Sequence, residues 1–195
     1  MDLLIALGRT LSFAFAAGID LYATVAILGL AARYHWVELP PQFQIFNNDV
    51  VIAVAVLLYA LEFFADKIPW IDSLWDMAHT FIRPVGGALI AVTTLGEASP
   101  PVQGLVALLG GSVAATTHLT KTGTRAAANT SPEPFTNWML SLGEDIFVIG
   151  LGYLALQHPV IALFVAVALL LLIFAFAAVI LRAIRRRFRR EIPVN

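Results

Sequence analysis

Residues 160–181 form an apolar run that contains no charged side chain. As an α-helix this run would be about 33 Å long, which matches the hydrocarbon core of a bilayer. A helix that is apolar on every face belongs in lipid or in the centre of a large domain. The composition agrees with the first option, since 59% of the 195 residues are hydrophobic and only 13% are charged. The sequence therefore predicts an integral membrane protein.

Proline-rich and asparagine-containing breaks divide the chain into about six apolar segments. The predicted spans are 5–32, 50–65, 81–95, 104–119, 135–156 and 160–181. The predicted fold class is all-α, a single transmembrane helical bundle over residues 1–181. A basic tail follows over residues 182–195 and contains six arginines.

A short amphipathic helix is predicted between the second and third spans. Asp72, Asp76, His79 and Arg83 recur at helical spacing and form one polar stripe, with apolar residues on the opposite face. We interpret this segment as a helix on the inner membrane surface or as a re-entrant piece. The two aspartates and the histidine are also weak candidates for a metal site, because carboxylates on such a face are usually solvated.

The basic residues predict an orientation. Positive charge collects on the cytoplasmic side of membrane proteins. Six spans and an arginine-rich tail would place both termini in the cytoplasm of a bacterial inner membrane. On that topology Arg9 lies on the inner side with ten other basic residues, and only Arg33 lies outside.

Acidic residues within apolar segments are the main functional signal. An ionised carboxylate at the bilayer centre costs roughly 2.5–3.5 kcal/mol, so these groups must face protein, water or a ligand. Asp20 lies centrally in the first predicted span, and Glu62 and Asp66 are one turn apart in the second. Of the adjacent Glu144 and Asp145, only one can point straight into a given cavity, and we expect it to be Glu144.

Basic residues form a second candidate group. His118, Lys121 and Arg125 fall on one side of a continuing helix. With Lys67 and Arg83 they would suit an anion or a lipid headgroup, since arginine favours oxyanions. Two simpler interpretations stay open. The charges belong to an ordinary cytoplasmic loop, or Lys121 or Arg125 forms a helix–helix ion pair with Glu144.

Two stretches of the chain resemble each other faintly, residues 16–24 and residues 114–122. Each precedes an apolar segment with an embedded acid, Glu62 in one half and Glu144 in the other. The likeness is compatible with an inverted repeat of three plus three spans, the arrangement that places transporter sites at the midplane. Chance similarity between small-residue-rich helices is the alternative.

Several short segments together resemble one bacterial membrane-protein family. They are GIDLY at 18–22, LEFFADKIP at 61–69 with the polar stripe after it, KTGTR at 121–125, SPEPF at 131–135 and SLGED at 141–145. The chain is identified by them as a member of the domain-of-unknown-function family 4126. The resemblance implies an integral membrane protein and little about activity. The family pattern has an asparagine where this chain has Asp20, so no charge-based role of Asp20 is implied for the family.

Three functions follow from these patterns as hypotheses. The first is a small transporter or channel with a carboxylate-lined site for a cation, a proton or a small solute. The second is a protein that handles anionic lipids through the basic group, and the third is a membrane scaffold or assembly protein. No metal-binding histidine pair, phosphate loop or nucleophile elbow occurs, so no cofactor or enzyme class is indicated. The expected partners are membrane lipids, a small ion or solute and further copies of the chain, and no nucleic acid is expected.

Overall fold

The computed structural model describes residues 2–130 and 134–190. These residues form seven α-helices and one 3-10 helix: α1 Asp2–Ile19, α2 Leu21–Arg33, the 3-10 helix Pro41–Phe46, α3 Asp49–Ala65, α4 Pro69–Leu95, α5 Pro100–Ala128, α6 Pro134–Gln157 and α7 Pro159–Arg190. No strand occurs among the described residues, and the predicted all-α bundle is confirmed. Part of the SPEPF segment (131–133) and the end of the basic tail (191–195) lie outside them.

The outer surface of the bundle is apolar. Leu108, Phe164 and Leu171 are 65–70% exposed, as expected for helices that face lipid. Three helical stretches are long and apolar enough to cross a membrane, Pro100–Ala128, Phe135–Gln157 and Pro159–Ala183, and two shorter apolar helices precede them. The chain is therefore an integral membrane protein.

The first predicted span is in fact two helices that run in opposite directions. Asp20 separates them with an extended backbone, φ −146° and ψ 103°. In the first half of α1, the Arg9 guanidinium lies 5.6 Å from the centre of the Phe43 ring. Near the end of α2, a Cβ atom at Gly29 would lie 2.9 Å from the carbonyl oxygen of Phe46. Both helices thus reach the same 3-10 helix, whereas one straight helix would separate Arg9 and Gly29 by about 30 Å.

α1 and α2 therefore form a helical hairpin with Asp20 at its tip. We call the end of the bundle that contains Pro41–Phe46 the 3-10 end, and the opposite end, where α7 finishes, the tail end. α7 begins at the 3-10 end, because Pro159 packs directly against Gly8 of α1. The five helices α3 to α7 then run alternately between the two ends.

This arrangement differs from the six-span prediction. The hairpin returns to the end at which it starts, so Asp2 and Arg190 lie at opposite ends of the bundle. Arg9 lies at the 3-10 end together with Arg33, and not with the tail arginines. The physical reason is the reversal at Asp20, where its carboxylate caps α2 by accepting a hydrogen bond from the backbone N–H of Ala23.

α1 is the central helix of the bundle. It packs against α4, α5, α6 and α7, and its side chains from Phe13 to Ala17 are 0–3% exposed. A helix that is apolar on all sides can be surrounded in this way. Its carboxyl-terminal end is therefore held deep inside the protein.

The predicted amphipathic helix and the third predicted span form one continuous helix, α4, with Pro84 inside it. Its polar stripe is 0–3% exposed, whereas Leu74 and Ile82 on the other face are 53% and 43% exposed. The interpretation of a solvated stripe is therefore wrong. The apolar face points outward, and the stripe faces the protein interior, where it meets charged partners.

The two similar stretches adopt different conformations. Residues 16–24 turn at Asp20, whereas residues 114–122 lie within the uninterrupted helix α5. The aspartate caps a new helix, while the ring of His118 at the corresponding position bonds to Arg83 and Thr80 instead. A hairpin followed by five alternating helices does not divide into two halves of three spans, so the structure does not support the inverted repeat.

Candidate functional site: a buried charged network at the hairpin tip

A cluster of buried charged side chains surrounds the tip of the hairpin. We call this cluster the charged network. Its cations are Arg83 of α4 and Lys121 and Arg125 of α5, whose side chains are at most 3% exposed. Its ion-paired acids are Glu62 and Asp66 at the end of α3, Asp76 of α4 and Glu144 of α6. The carboxylates and the basic residues, which the sequence suggested as two separate groups, thus form one cluster.

Arg83 joins the hairpin to three helices. Its guanidinium pairs with Glu62 and lies 3.5 Å from a carboxylate oxygen of Asp76. Its Nη1 atom also donates to Nδ1 of His118 at 2.9 Å and to the carbonyl oxygen of Gly18 at 3.3 Å. A single fully buried side chain therefore links α3, α4 and α5 to the end of α1.

Lys121 holds the hairpin tip in a similar way. Its ammonium group donates to the carbonyl oxygen of Ile19 at 3.2 Å. It also lies 3.3 Å from Glu62, 3.2 Å from Asp66 and 3.7 Å from Glu144. The free carbonyl oxygens at the end of a helix carry the negative end of its dipole, so a cation here stabilises the end of α1.

Arg125 connects α5 to α3 and α6. Its Nη2 atom lies 3.0 Å from Asp66 and 2.8 Å from Glu144, and its Nε atom donates to both oxygens of Glu144 at 3.2 Å. Its Nη1 atom donates to the side chain of Asn137 at 2.8 Å. The contacts of Glu144 are those of the helix–helix ion pair that the sequence left open.

Glu144 and Asp145 both lie inside the protein, although the sequence predicted only one inward-facing residue. Glu144 points toward α5, and its side chain is 18% exposed. Asp145 is the more buried residue, at 7% exposure, and its Oδ2 atom has no hydrogen-bond partner. Because neighbouring residues point about 100° apart, they can both be buried against different surroundings.

Asp20 lies at the tip without a cationic partner. It is 3% exposed, and its carboxylate accepts from the backbone N–H of Ala23 at 2.8 Å. The Thr24 hydroxyl donates to its backbone carbonyl at 2.7 Å. Among the described residues no lysine, arginine or histidine forms an ion pair with Asp20 or with Asp145.

The neighbourhood of the network holds more acid than base. Among the described residues, its seven carboxylates are Asp20, Glu62, Asp66, Asp72, Asp76, Glu144 and Asp145, and its four cations are Lys67, Arg83, Lys121 and Arg125. Full ionisation of all these groups would give a formal charge of 4 − 7 = −3. Several buried carboxylate oxygens, including Oε2 of Glu62 and Oδ1 of Asp66, accept no hydrogen bond. The site therefore has unused capacity to bind a proton or a cation.

Lys67 does not join the predicted basic group. Its ammonium group donates to the Phe63 carbonyl oxygen at 2.7 Å and lies 3.1 Å from the centre of the Phe63 ring. It is also 3.4 Å from the hydroxyl of Ser141. These neutral contacts leave its charge without an ion-paired acid in the described part of the chain.

The hydrogen-bond partners of the two buried histidines define their tautomers. Arginine can only donate, so Nδ1 of His118 accepts from Arg83, and Nε2 carries the proton 3.3 Å from the Thr80 hydroxyl. A carbonyl can only accept, so Nδ1 of His79 donates to Trp75, and its Nε2 lies 2.9 Å from the Tyr22 hydroxyl, which can either donate or accept. The His118 ring, whose Nδ1 accepts from an arginine, is therefore neutral in this arrangement.

The weak metal candidates do not converge. Asp76 accepts from Thr122, Asp72 accepts from Asn129, and His79 is engaged by Tyr22 and Trp75. Within residues 2–130 and 134–190 no three His, Cys, Asp or Glu side chains are placed to hold a metal ion together.

Some contributors to the network were not among the residues predicted from the sequence. Asn137 bonds both Arg125 and the Asp66 carbonyl oxygen, and it lies one turn before Ser141 and two turns before Glu144. The regular spacing of these polar residues in an otherwise apolar helix could have predicted that Asn137 faces the site. The carbonyl oxygens of Gly18 and Ile19 could not be found in this way, because their role depends on the hairpin.

The network borders a gap on the outer surface of the bundle. A cavity of about 250 Å³ is lined by Lys121 and Glu144. A groove of about 720 Å³ between α5 and α7 shares Thr120, Thr124 and Ile173 with it. The side of the network formed by Lys121 and Glu144 can therefore be reached between these two helices.

An apolar exterior around a charged interior defines a polytopic helical membrane protein. A family model described as "Domain of unknown function (DUF4126)" matches residues 7–179, and the chain belongs to this family. The family predicted from the sequence is thus confirmed. No curated protein and no solved structure matches the chain.

The two acids that share Lys121 and Arg125 should differ in their effect on stability. Asp66→Asn should lower the free energy of unfolding by about 1–3 kcal/mol, because Asp66 Oδ2 contacts both cations and its side chain is 4% exposed. Glu144→Gln should cost less, because its side chain is partly exposed. Thermal unfolding of both variants in detergent measures the difference. An equal or larger loss for Glu144→Gln would contradict this ranking.

Proposed function

We propose that this protein is a small transporter or channel for protons or another monovalent cation, with the charged network and the hairpin tip as its intramembrane site. The observation that carries the proposal is the excess of carboxylate around the network, seven acids against four cations among the described residues. A negative site within the membrane favours cations and excludes anions. Buried acids without an ion-paired partner are costly, and membrane proteins place such groups along ion pathways.

One cation of the network is shared by several carboxylates. Lys121 lies between 3.2 and 3.7 Å from three carboxylates, those of Glu62, Asp66 and Glu144. Neutralisation of one acid by an incoming proton or cation leaves Lys121 paired with the other two. Binding in such a shared network costs less than breaking an isolated buried pair.

The same contacts weigh against anion or lipid-headgroup binding by the basic group. The guanidinium and ammonium groups of Arg83, Lys121 and Arg125 already lie against carboxylates. An added anion would meet a surplus of negative charge. The scaffold hypothesis remains as a competitor and makes a different prediction, since under it loss of a carboxylate changes stability and every function together.

The arginines of α7 support an orientation. Arg182, Arg185 and Arg186 are exposed at the tail end. From the positive-inside tendency we infer that the tail end faces the cytoplasm and the 3-10 end faces the other side of a bacterial inner membrane. On this proposal the charged network lies in the half of the bundle nearer the cytoplasm.

Flux measurements in proteoliposomes test the proposal. The variant Asp20→Asn/Asp145→Asn removes two buried carboxylates that hold no ion pair, and asparagine at position 20 can still cap α2. Under an imposed H⁺, Na⁺ or K⁺ gradient, we expect the native chain to carry flux and the double variant to lose at least about tenfold, or 1.4 kcal/mol. Its melting temperature should stay the same or rise, because two buried carboxylates that hold no ion pair with the described residues are gone.

Glu97→Gln is the matched control, because Glu97 is an exposed acid at the 3-10 end. Its flux should equal that of the native chain. Absence of flux for all three ions in the native chain would refute the proposal. Full flux in the double variant would show that Asp20 and Asp145 do not belong to the ion pathway. Loss of both flux and stability in this variant would favour the scaffold hypothesis.

A further inference from the structure

A second cavity lies at the 3-10 end, on the opposite side of the bundle from the charged network. Its volume is about 290 Å³, near the lower limit of small-molecule sites. Its walls come from α1, the 3-10 helix and the end of α4, and they include Ile5, Arg9, Pro40, Gln42, Phe43 and Thr94.

Arg9 is the unusual member of this wall. It is 9% exposed, and no carboxylate of the described residues forms an ion pair with it. Its Nε atom has no hydrogen-bond partner. By contrast, Arg83, Lys121 and Arg125 each hold at least two acids. Burial of an unpaired charge is expensive, so a missing counter-ion is the simplest physical explanation.

We propose that this cavity binds an oxyanion, a phosphate or carboxylate group, on the guanidinium of Arg9. The planar fork of a guanidinium pairs with such groups through two parallel hydrogen bonds. The Phe43 ring, 5.6 Å from the guanidinium carbon, holds this fork in place by a cation–π contact. Gln42 also lines the cavity, and its side chain carries an amide N–H donor.

The surroundings strengthen this binding and separate it from the charged network. Apolar side chains form much of the remaining wall, and an ion pair with Arg9 is stronger in such surroundings than in bulk water. The site has the opposite charge preference to the network and lies at the other end of the hairpin. It therefore does not depend on cation transport.

Two sources could supply the same oxyanion. The 3-10 helix lies at one end of the bundle, so an anionic phospholipid whose headgroup reaches this end could insert its phosphate. A free phosphate or carboxylate solute from the aqueous phase could enter as well. The shared chemistry is an oxyanion on Arg9, and the experiment below separates the two sources.

The test measures the melting temperature of the full chain in two series. The first titrates inorganic phosphate into detergent-solubilised protein. The second compares nanodiscs of phosphatidylglycerol with nanodiscs of digalactosyldiacylglycerol, a lipid that carries no phosphate. We expect stabilisation of the native chain in at least one series and loss of that increment in Arg9→Gln, with phosphate affinity at least tenfold weaker where phosphate is the ligand. Arg33→Gln at the same end is the matched control and should retain the increment.

The outcomes separate the sources and can overturn the site. Stabilisation by phosphate identifies a free oxyanion, and stabilisation by phosphatidylglycerol alone identifies a lipid headgroup. No stabilisation in either series, or an equal increment in Arg9→Gln, overturns the proposal. If Arg9→Gln does not fold, Arg9→Lys and Gln42→Ala carry the test. Both should weaken binding several-fold, and unchanged binding in both would overturn the proposal as well.

Discussion

Arg83→Gln is expected to lower the free energy of unfolding by about 3–5 kcal/mol, because it removes one partner from a buried ion pair and leaves the other charge uncompensated. Glu62 loses its closest cation, and Asp76 loses the guanidinium 3.5 Å away. The carbonyl oxygen of Gly18 loses a donor at the same time. Thermal unfolding in detergent, followed by size-exclusion chromatography, measures the loss.

A compensating second substitution and a control on the protein surface test whether the loss comes from the broken ion pair. Arg83→Gln/Glu62→Gln should recover part of the loss, since the stranded carboxylate is then neutral. Arg182→Gln removes an exposed arginine and should change the melting temperature little. A native-like melting temperature for Arg83→Gln would show that the network does not hold the hairpin tip.

Gly18→Val is expected to have the second large effect. A Cβ atom at Gly18 would collide with the Thr117 hydroxyl and the Ala114 carbonyl oxygen, and it would lie 2.8 Å from the Ala114 Cα. Two of these three atoms are backbone and cannot move aside without shifting α5. Overpacking of this kind costs about 1–3 kcal/mol or more, and here it would push the tip away from Lys121 and Arg83. Both stability and ion flux should therefore fall.

Gly143→Val is the matched control for the loss of a helical glycine. A Cβ atom at Gly143 meets nothing within 4 Å, so its substitution should leave stability and flux nearly unchanged. If Gly18→Val behaved like Gly143→Val, the close packing of the hairpin tip on α5 would be contradicted.

The sequence predicted the helical class well but could not predict the hairpin. Residues 5–32 are mostly apolar, Asp20 is the only acid among them, and no proline marks a turn. Aspartate is a favoured helix cap, and this was the available local signal. Whether the chain reverses at such a residue depends on the distant contacts of Arg9 and Gly29 with Pro41–Phe46.

The stripe on α4 shows a second limit of sequence patterns. The periodicity of Asp72, Asp76, His79 and Arg83 correctly predicted one polar helix face. Periodicity does not tell which face is inside. In a soluble protein the polar face meets water, whereas in lipid the apolar face turns outward and the polar face is satisfied within the protein.

The candidate site was predicted by residue type but not by arrangement. The cost of charge in a membrane predicts that Glu62, Asp66 and Glu144 are sheltered, and the structure brings them together around Lys121. That acids and bases from α3, α5 and α6 form one network is a tertiary property. The sequence around Arg9 did not predict that this arginine lacks an ion-pair partner in the described part of the chain, because that depends on which acids the fold brings near it.

Labelling of single cysteines tests the helical hairpin most directly, and the chain contains no native cysteine that would interfere. Leu3→Cys, Glu97→Cys and Thr130→Cys each place a thiol at an exposed position. An impermeant maleimide is applied to one side of oriented vesicles. The hairpin predicts that positions 3 and 97 are labelled from the same side and position 130 from the other. Labelling of positions 3 and 130 from one side, with 97 opposite, would mean that residues 2–33 cross the membrane and that the hairpin is wrong.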